Sequence, residues 1–528
     1  MSKKLILIFA LGLFLRLFQI STLPSGFHID EVKLGWNAYS LLKTGRDDWM
    51  HAFPLYYDTF GDQRPTGLFY ASVPALTVFK LTEFAVRFTP ALFGSLGIFA
   101  IFYLVLAITN KRMPPLLSAL MLSISPWHIT LSRSTSEGIV ATTLTLFGLY
   151  FLVISFSKRK TKPLILAFIF LSLSYFFYHT FRLIVPIFSF GLAAYYYRGK
   201  LFLPSIIMTL LFGLLTLTFV YNPNSTSRLS QVSIFADTAI KDSIDRLPFE
   251  EGDNHILIAR IFHNKAVIYS TKFINEYSSY FTGKFFFTFG EAKPARYQTV
   301  MRGPVLYIEA ILVILGLIAI AQKKLSPLPI LFLLISPLAT AITTEDAPNL
   351  HRALMMAPFI SILAGFGLDL ISKHSRRLLF ITLTLLSFDF IYFAHMYMVH
   401  NSQRDSIAIM RNSGEKELIN EIVKLSPKYQ KILLSIRPDQ HYPFYAFYTK
   451  QNPEIFNPQL AINKQNDWQY KNFVFTQTFC PSQTITNIKT LAVDAEGCPP
   501  PLATENLKVI KSINRSTSVP AFYLITTN

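Results

Sequence analysis

The sequence contains few charged residues, few cysteines and few glycines, and these shortages narrow the class of protein. Only 15% of its 528 residues are charged, whereas about 25% are charged in an ordinary soluble domain. The two cysteines, Cys480 and Cys498, exclude cysteine-rich metal clusters and allow one disulfide at most. In place of charge the chain has 51% hydrophobic and 15% aromatic residues. This balance indicates a membrane protein with lipid-facing and interfacial helices.

Several motifs that carry chemistry are absent as well. The sequence has no Walker motif, GxGxxG fingerprint, HExxH or nucleophile elbow in a suitable context, which argues against ATP-driven transport, dinucleotide chemistry and zinc hydrolysis. No internal repeat stands out, whereas paired repeats are common in secondary transporters. We predict no cofactor. Asp30, Glu31 and Glu137 are candidate ligands for a divalent metal, but we predict no bound metal.

Apolar runs of about 16 to 22 residues recur about eleven times, and each is near the length that crosses a bilayer as a helix. The first run, Leu5–Ile20, carries Arg16 and lacks a small-x-small cleavage site, so we expect a first span and no cleavable signal peptide. We expect the segment 66–82, which Pro74 interrupts, to lie at the interface. The predicted spans lie near 5–20, 88–109, 113–127, 138–157, 163–178, 181–197, 202–221, 303–321, 327–343, 353–371 and 378–397.

The basic residues predict how these spans are oriented. With a cytoplasmic N-terminus, every inside loop is short and basic, as the positive-inside rule requires. This distribution explains much of the net charge of +18 without a nucleic-acid partner. We therefore predict a multi-pass protein of the plasma membrane. The inside residues are Lys3, Lys4, Lys111, Arg112, Lys158, Arg159, Lys160, Lys162, Arg198, Lys200, Lys323, Lys324, Lys373, Arg376 and Arg377.

Three polar regions then face outside: a first loop (21–87), a middle loop (222–302) and a C-terminal tail (401–528). The tail predicts a small extracytoplasmic α/β domain that follows a transmembrane domain of residues 1–400. Because the outer side is oxidising in most organisms, Cys480 and Cys498 either pair there or remain free. The tail has one helix-like run, Glu415–Leu425, and strand-like runs at Lys431–Ile436, Phe473–Thr476, Thr490–Val493 and Ala521–Thr526.

An acidic pair, Asp30 and Glu31, follows the first span directly and precedes a predicted amphipathic helix, Val32–Lys43. Two adjacent carboxylates therefore lie at membrane level. One interpretation is helix capping, because acidic residues accept the free N–H groups of a first turn. The other is catalysis, because a carboxylate can accept the proton of an attacking hydroxyl.

Further along the first loop, Phe60–Tyr70 contains Arg64 next to Pro65 and ends in aromatic residues. Arg64 is predicted to lie near the lipid headgroups. It is either an arginine that snorkels to any lipid phosphate or a fixed guanidinium fork that clamps the phosphate of a lipid-linked substrate.

Over about residues 1–400, the order of these pieces resembles the GT-C membrane glycosyltransferases of bacteria. The branch is that of the protein O-mannosyltransferases and the aminoarabinose transferase of lipid A, which is similar to glycosyltransferase family 39. The resemblance implies an α-helical polytopic GT-C fold and inverting transfer of a sugar from a polyprenyl-phosphate donor to an acceptor hydroxyl outside. The matching elements are the acidic pair, Tyr39 with Leu42 and Gly45, Arg64-Pro65, and Glu83–Gly94 with Arg87 and Pro90.

The resemblance also implies roles for individual residues. Asp30 is the candidate catalytic base, with Glu31 as a neighbour that shares or raises its proton affinity. Arg64 is the candidate phosphate clamp, at a position where relatives often have lysine. The planar guanidinium of arginine, in place of the compact ammonium of lysine, alters the geometry of the phosphate contact.

Other outer segments offer further candidates, each with interfacial anchoring as its alternative. Arg182 and Arg352 are predicted to bind the donor phosphate, and the supporting residues are Glu137, His179, Arg133 and Tyr70. The aromatic segment Tyr277–Glu291 of the middle loop is either a strip on the membrane surface or a wall of the substrate groove.

Two other functions remain open at this stage. One is a transporter or flippase of lipid-linked saccharides, which needs charges along a path between both faces. The charges instead gather on one side, which favours a one-sided enzyme. The other is a non-catalytic envelope protein that binds a partner through its tail. The predicted partners of the enzyme are the polyprenyl-phosphate sugar, an envelope glycan, lipid or protein acceptor, and membrane lipid.

Overall fold

The computed structural model describes residues 3–59, 62–196, 202–220, 233–250, 256–291, 297–322, 325–344, 347–435, 441–456, 467–485, 489–499 and 507–527. Arg198, Lys200, Lys323 and Lys324, which were predicted to lie inside, are outside these described residues. So are parts of the middle loop, residues 60–61 of the first loop and residues 345–346, which lie shortly before Arg352.

Helices dominate the chain up to residue 400. They are α1 (Lys3–Leu17), α2 (Ile29–Thr44), α3 (Gly67–Phe79), α4 (Glu83–Thr109), α5 (Met113–Ile124), α6 (Pro126–Ser132), α7 (Glu137–Lys158), α8 (Thr161–Ser174), α9 (His179–Tyr195), α10 (Phe202–Val220), α11 (Thr238–Glu250), α12 (Ile256–Phe262), α13 (Lys265–Ser279), α14 (Tyr307–Ala321), α15 (Leu328–Ile335), α16 (Met356–His374) and α17 (Arg376–His395). A short antiparallel hairpin, β1 (Tyr56–Thr59) and β2 (Asp62–Pro65), precedes α3.

Four of the described helices are long and apolar enough to cross a membrane: α4, α7, α16 and the stretch Arg376–Gln403 that includes α17. Shorter apolar helices are Gly67–Phe79, Met113–Ile124, Thr161–Ser174, Phe202–Leu217 and Tyr307–Ala321. The segment 327–343, predicted as one span, is helical only over Leu328–Ile335 and continues as turns. Pro337 follows that helix end closely, and proline lacks the N–H that would continue a helix.

The centre of the helical part is α16, which is buried along most of its length and packs against α5 and α14. Gly367 allows the closest approach, because a Cβ there would lie 1.9 Å from the backbone oxygen of Leu312 on α14. Small residues at such crossings let helices in a membrane gain van der Waals contact.

The tail folds into a mixed sheet with helices. Its strands are β3 (Lys431–Ser435), β4 (Trp468–Tyr470), β5 (Phe473–Thr476), β6 (Thr490–Ala495), β7 (Leu507–Asn514) and β8 (Pro520–Thr527), in the order β4-β5-β3-β6-β8-β7. The central strands β5, β3 and β6 are parallel, and the outer pairs are antiparallel. The helices are α18 (Asp405–Met410), α19 (Glu415–Leu425) and α20 (His441–Thr449). A disulfide joins Cys480 to Cys498.

The tail packs directly on the first loop (21–87). The ring of Phe447 on α20 lies 5.2 Å from the ring of Phe27, which precedes α2. At the start of α4, Glu83 accepts the Tyr448 hydroxyl at 2.7 Å and pairs with Lys416 at 3.1 Å. Because α20, α3 and α4 all contact α2, this helix is buried on most of its surface.

Candidate active site

The N-terminus of α2 carries Asp30 and Glu31, the acidic pair of the first loop. His28 caps the helix: its Nδ1 accepts the backbone N–H of Asp30 at 3.0 Å, and the Glu31 carboxylate accepts the backbone N–H of His28 at 3.2 Å. This reciprocal capping fixes the first turn. Capping is thus one use of Glu31, yet the two acidic side chains have different main partners.

Glu31 is the centre of a buried charge network. Arg87 Nε and Nη2 donate to its two carboxylate oxygens at 3.0 and 3.1 Å, and Arg411 Nη2 donates to Oε2 at 2.7 Å. The backbone N–H and the hydroxyl of Thr135 donate to Oε1 at 3.1 and 3.3 Å. Burial raises the pKa of Glu31, but the arginines outweigh burial and lower the pKa to about 2. An ionised Glu31 therefore ties α2 to α4, to the loop before α7 and to the tail.

Asp30 lies at the edge of this network and faces the hairpin. Arg64 Nη1 donates to Asp30 Oδ2 at 2.8 Å, and His28 Nδ1 lies 3.9 Å from the same oxygen. The Asp30 side chain keeps 12% of its surface exposed and that of Arg64 keeps 25%, whereas Glu31 keeps 1%. Of the two neighbouring carboxylates, Asp30 is therefore the one that an incoming molecule can reach.

The hairpin that carries Arg64 is held at its base and at its side. The hydroxyls of Thr66 and Tyr70 both donate to the backbone oxygen of Pro54, at 2.7 and 3.0 Å. His179 Nε2 lies 3.1 Å from the backbone oxygen of Gln63, the neighbour of Arg64. Tyr70 and His179 thus brace the segment that presents Arg64 to Asp30.

Arg182 contacts the ring nitrogen of His179 that does not face Gln63. Its Nη1 lies 3.0 Å from His179 Nδ1, and its Nε donates to the backbone oxygen of Tyr175 at 3.2 Å. Because a guanidinium can only donate, His179 Nδ1 accepts here and Nε2 carries the proton donated to Gln63. The Arg182 guanidinium also lies 5.3 Å from the ring centre of Tyr56 on β1.

Glu137 and Arg352 belong to a second group of side chains. Tyr178, the residue before His179, connects this group to the one around Asp30 and Arg64. The ring of Tyr178 stacks on that of His351 at 4.5 Å, and His351 Nε2 lies 4.0 Å from Glu137. The next residue, Arg352, donates to the hydroxyl of Thr343 at 3.0 Å. Through Tyr178 and His179, the segment that carries His351 and Arg352 meets the hairpin on one side of the helical domain.

Arg133 has a different environment. It is fully buried, and its guanidinium donates to the backbone oxygens of Leu15 and Phe18 at 2.8 and 2.7 Å and to that of Leu23 at 3.0 Å. The first two contacts satisfy carbonyl groups at the C-terminal end of α1, which have no helical partner, and the third holds the loop that follows. The structure therefore positions Arg133 at the end of the first helix.

The partners of Glu31 are the functional residues that the sequence did not assign. Arg87 lies in the motif Glu83–Gly94, and the signal in the sequence was a charged residue near the N-terminus of an apolar helix, where a partner is expected. Arg411 lies in the tail, 380 positions from Glu31, and no local pattern connects the two. Among the described residues, no group of three or more His, Cys, Asp or Glu side chains could hold a metal ion.

Comparison with known proteins bears on the fold and on the family that the chain resembles. A family model described as dolichyl-phosphate-mannose-protein mannosyltransferase matches residues 63–222. That range includes Arg64, Arg87 and Arg182. No curated protein sequence matches the chain.

Solved structures with a similar fold include one of a bacterial and one of an archaeal protein. ArnT from Cupriavidus metallidurans, bound to undecaprenyl phosphate, has a TM-score of 0.54 and 11% identity, over 99% of this chain and 97% of that one. The oligosaccharyltransferase AglB from Archaeoglobus fulgidus, in complex with an inhibitory peptide and a dolichol-phosphate, has a TM-score of 0.50 and 11% identity. This second match covers 85% of this chain and only 63% of AglB. The chain has the GT-C fold of membrane glycosyltransferases, and its resemblance to the ArnT and mannosyltransferase branch is confirmed.

Proposed function

We propose that this chain transfers a sugar from a polyprenyl-phosphate-linked donor to an acceptor hydroxyl on the outer face of the membrane, with inversion at the anomeric carbon. The observation that carries the proposal is the contact between Asp30 and Arg64. A reachable carboxylate lies 2.8 Å from a partly exposed guanidinium. This combination supplies both groups that the reaction needs.

Asp30 acts as the general base. The acceptor oxygen attacks the anomeric carbon from the face opposite the phosphate, and the Asp30 carboxylate accepts the hydroxyl proton. The bond from the anomeric carbon to the phosphate oxygen breaks, and its electron pair leaves with the lipid phosphate. Glu31 stays ionised in its arginine network and fixes the first turn of α2, so that Asp30 keeps its position.

Arg64 binds the donor phosphate and neutralises the charge that grows there as the bond breaks. When the phosphate arrives it competes for the same guanidinium, which loosens the contact of Arg64 with Asp30 and leaves the carboxylate available to the acceptor. Arg182 and Arg352 add positive charge along the path of the lipid phosphate. His179 and Tyr70 hold the hairpin, Glu137 faces His351 on the acceptor side, and Arg133 secures the end of α1.

The chain is arranged as a transmembrane domain of residues 1–400 with about eleven spans, followed by an extracytoplasmic domain of residues 401–528. The N-terminus is cytoplasmic in this arrangement. The disulfide between Cys480 and Cys498 supports an oxidising location for the tail. The transferred group is a hexose or a pentose, and the acceptor is an envelope glycan, lipid or protein.

The proposal is tested with purified protein in vesicles and a panel of polyprenyl-phosphate sugars that carry a radiolabel on the sugar. With envelope extract as acceptor, we expect label to move to the acceptor and unlabelled polyprenyl phosphate to be released. Movement of intact labelled lipid between leaflets, without release of polyprenyl phosphate, would instead identify a transporter. Binding of an envelope component to the tail with neither transfer nor movement would identify a non-catalytic protein.

A further inference from the structure

The residues on both sides of Asp30 are held by two consecutive residues of the tail. The backbone N–H of Ile29 donates to Asn412 Oδ1 at 2.9 Å, and Arg411 Nη2 donates to Glu31 Oε2 at 2.7 Å. Asp30 lies between these two points of attachment. The attached residues are 383 and 380 positions apart in sequence, so the connection exists only when the tail is docked.

The attachment is closely built. Arg411 is fully buried, and its Nε also donates to the backbone oxygen of Ser25 at 3.0 Å. Gly26 has a φ of +76°, and a Cβ there would lie 2.4 Å from the backbone oxygen of Arg411. Glycine alone suits both the left-handed backbone and this close approach. Asn412 has a φ of 51°, a left-handed conformation that asparagine adopts more readily than most residues.

We propose that Arg411 and Asn412 form a positioning clamp that sets the place of Asp30 for proton transfer. The proposal rests on the function proposed for Asp30. The N–H of Ile29 is one of the first groups of α2 and has no partner within the helix, so Asn412 supplies one. Arg411 holds the other end of the same turn by charge. The tail is then part of the catalytic apparatus, although neither clamp residue touches substrate.

A purely structural role for these residues makes a different prediction. If Arg411 and Asn412 only anchored the tail, any other contact between the tail and the helical domain would matter in the same way. Lys416 offers the comparison, because it also joins the tail to the helical domain, through Glu83 at 3.1 Å, but does not reach α2. The clamp predicts that the chemical step depends on Arg411 and Asn412 but not on Lys416.

The experiment compares four variants of the full-length protein: Asn412→Gly, Arg411→Gln, Arg411→Lys and the control Lys416→Gln. Asn412→Gly keeps the left-handed backbone and removes only the side-chain acceptor. We expect Asn412→Gly and Arg411→Gln to lower kcat by about 100-fold, because small misplacement of a reacting group has effects of that size. The KM for the donor should stay unchanged, as expected when an interaction matters only in the transition state. Arg411→Lys should recover part of the rate, and Lys416→Gln should match the wild type.

Hydrogen exchange of the peptide that covers residues 27–36 gives a readout that does not depend on activity. We expect faster exchange at Ile29 in Asn412→Gly and no change in Lys416→Gln. Wild-type kcat in both Asn412→Gly and Arg411→Gln would overturn the clamp, and so would an equal loss in Lys416→Gln. If the wild type transfers no sugar, the proposed function fails. Hydrogen exchange at the backbone amides of residues 29–31 then tests the clamp independently of activity. Equal exchange rates in all variants would overturn the clamp.

Discussion

Arg64 Nη1 donates to Asp30 Oδ2 at 2.8 Å, although 34 positions separate the two residues. One comes from the first turn of α2 and the other from β2, so the contact requires the hairpin to fold back over the start of the helix. A cation and a carboxylate that are partly exposed at the same point can serve a phosphate and a hydroxyl in one reaction.

Arg64 should dominate affinity for the donor phosphate. Arg64→Gln is expected to raise the Kd for polyprenyl phosphate by about 10- to 100-fold, because a hydrogen bond to a charged group contributes about 1.5–3 kcal/mol. Arg64→Lys keeps the charge and should recover part of the loss. Titration of the purified protein with fluorescent polyprenyl phosphate measures this. Arg46→Gln, an exposed arginine of the same loop, is the control. Equal affinity in Arg64→Gln and Arg46→Gln would refute the assignment.

His179 should act on the same step through the hairpin. His179→Ala removes the hydrogen bond to Gln63 and the acceptor for Arg182. We expect about 5- to 30-fold weaker donor binding, because each of the two hydrogen bonds contributes about 1 kcal/mol. His179→Gln keeps a donor and an acceptor and should lie between His179→Ala and the wild type. The control is His51→Ala, whose side chain is 69% exposed. The same titration with fluorescent polyprenyl phosphate measures the effect. Unchanged binding in His179→Ala would mean that the hairpin does not depend on the contact with His179.

Glu31 should be required for folding. Glu31→Gln leaves Arg87 and Arg411 buried beside a neutral amide, and breaking a buried pair in this way costs about 3–5 kcal/mol. The Tm of the purified protein should fall sharply, whereas Glu83→Gln, at a partly exposed ion pair, should change it little. Stability within the error of the Glu83→Gln variant would contradict the network.

The pKa of Glu31 predicts a pH dependence in the same measurement. The pKa falls from an ordinary 4.5 to about 2 in the folded protein, so its contribution to stability is complete above pH 4.5 and disappears as the pH falls through about 2. Between pH 5 and pH 3 the Tm of the wild type should therefore fall more than that of Glu31→Gln. Parallel Tm curves for the two proteins would show that Glu31 does not titrate in this way.

The disulfide should stabilise the tail. Replacing Cys480 and Cys498 together by serine opens a loop of 18 residues and should lower the free energy of unfolding of the tail by about 3 kcal/mol. Urea denaturation, followed by hydrogen exchange of peptides that cover β3 and β6, measures the change. Because the clamp residues lie before the sheet, sugar transfer in the folded variant should stay close to the wild type. A loss of transfer without a loss of stability would contradict this expectation.

Local patterns in the sequence predicted many of the individual elements. The helix-like run Glu415–Leu425 and the strand-like run Phe473–Thr476 coincide with α19 and β5. Strands β4 and β7 were not predicted. β4 has only three residues, and β7 lies at the edge of the sheet with few buried side chains, so neither has an apolar pattern that stands out. The hairpin β1–β2 was missed because its four-residue strands are mainly polar at Asp62–Pro65.

The candidate site was harder to predict, because its contacts join distant parts of the chain. The acidic pair and Arg64 were recognisable from motifs. The different environments of Asp30 and Glu31 were not recognisable, because they depend on the contacts of Glu31 with Arg87 and Arg411. The sequence shows that both arginines are charged. It does not show that they contact the same carboxylate, because that contact depends on how α4 and the tail pack around α2. Likewise, α2 was expected to be amphipathic, and the docked tail explains why it is buried on most sides.

The most direct test of the account is the rate of sugar transfer from labelled polyprenyl-phosphate sugar by Asp30→Asn, with Glu83→Gln as a matched acidic control outside the site. Removal of a general base costs about 100- to 10,000-fold, so Asp30→Asn should lose transfer to that extent while it still binds polyprenyl phosphate. Glu83→Gln should transfer sugar at the wild-type rate. Transfer by Asp30→Asn at the rate of the wild type would contradict the central claim.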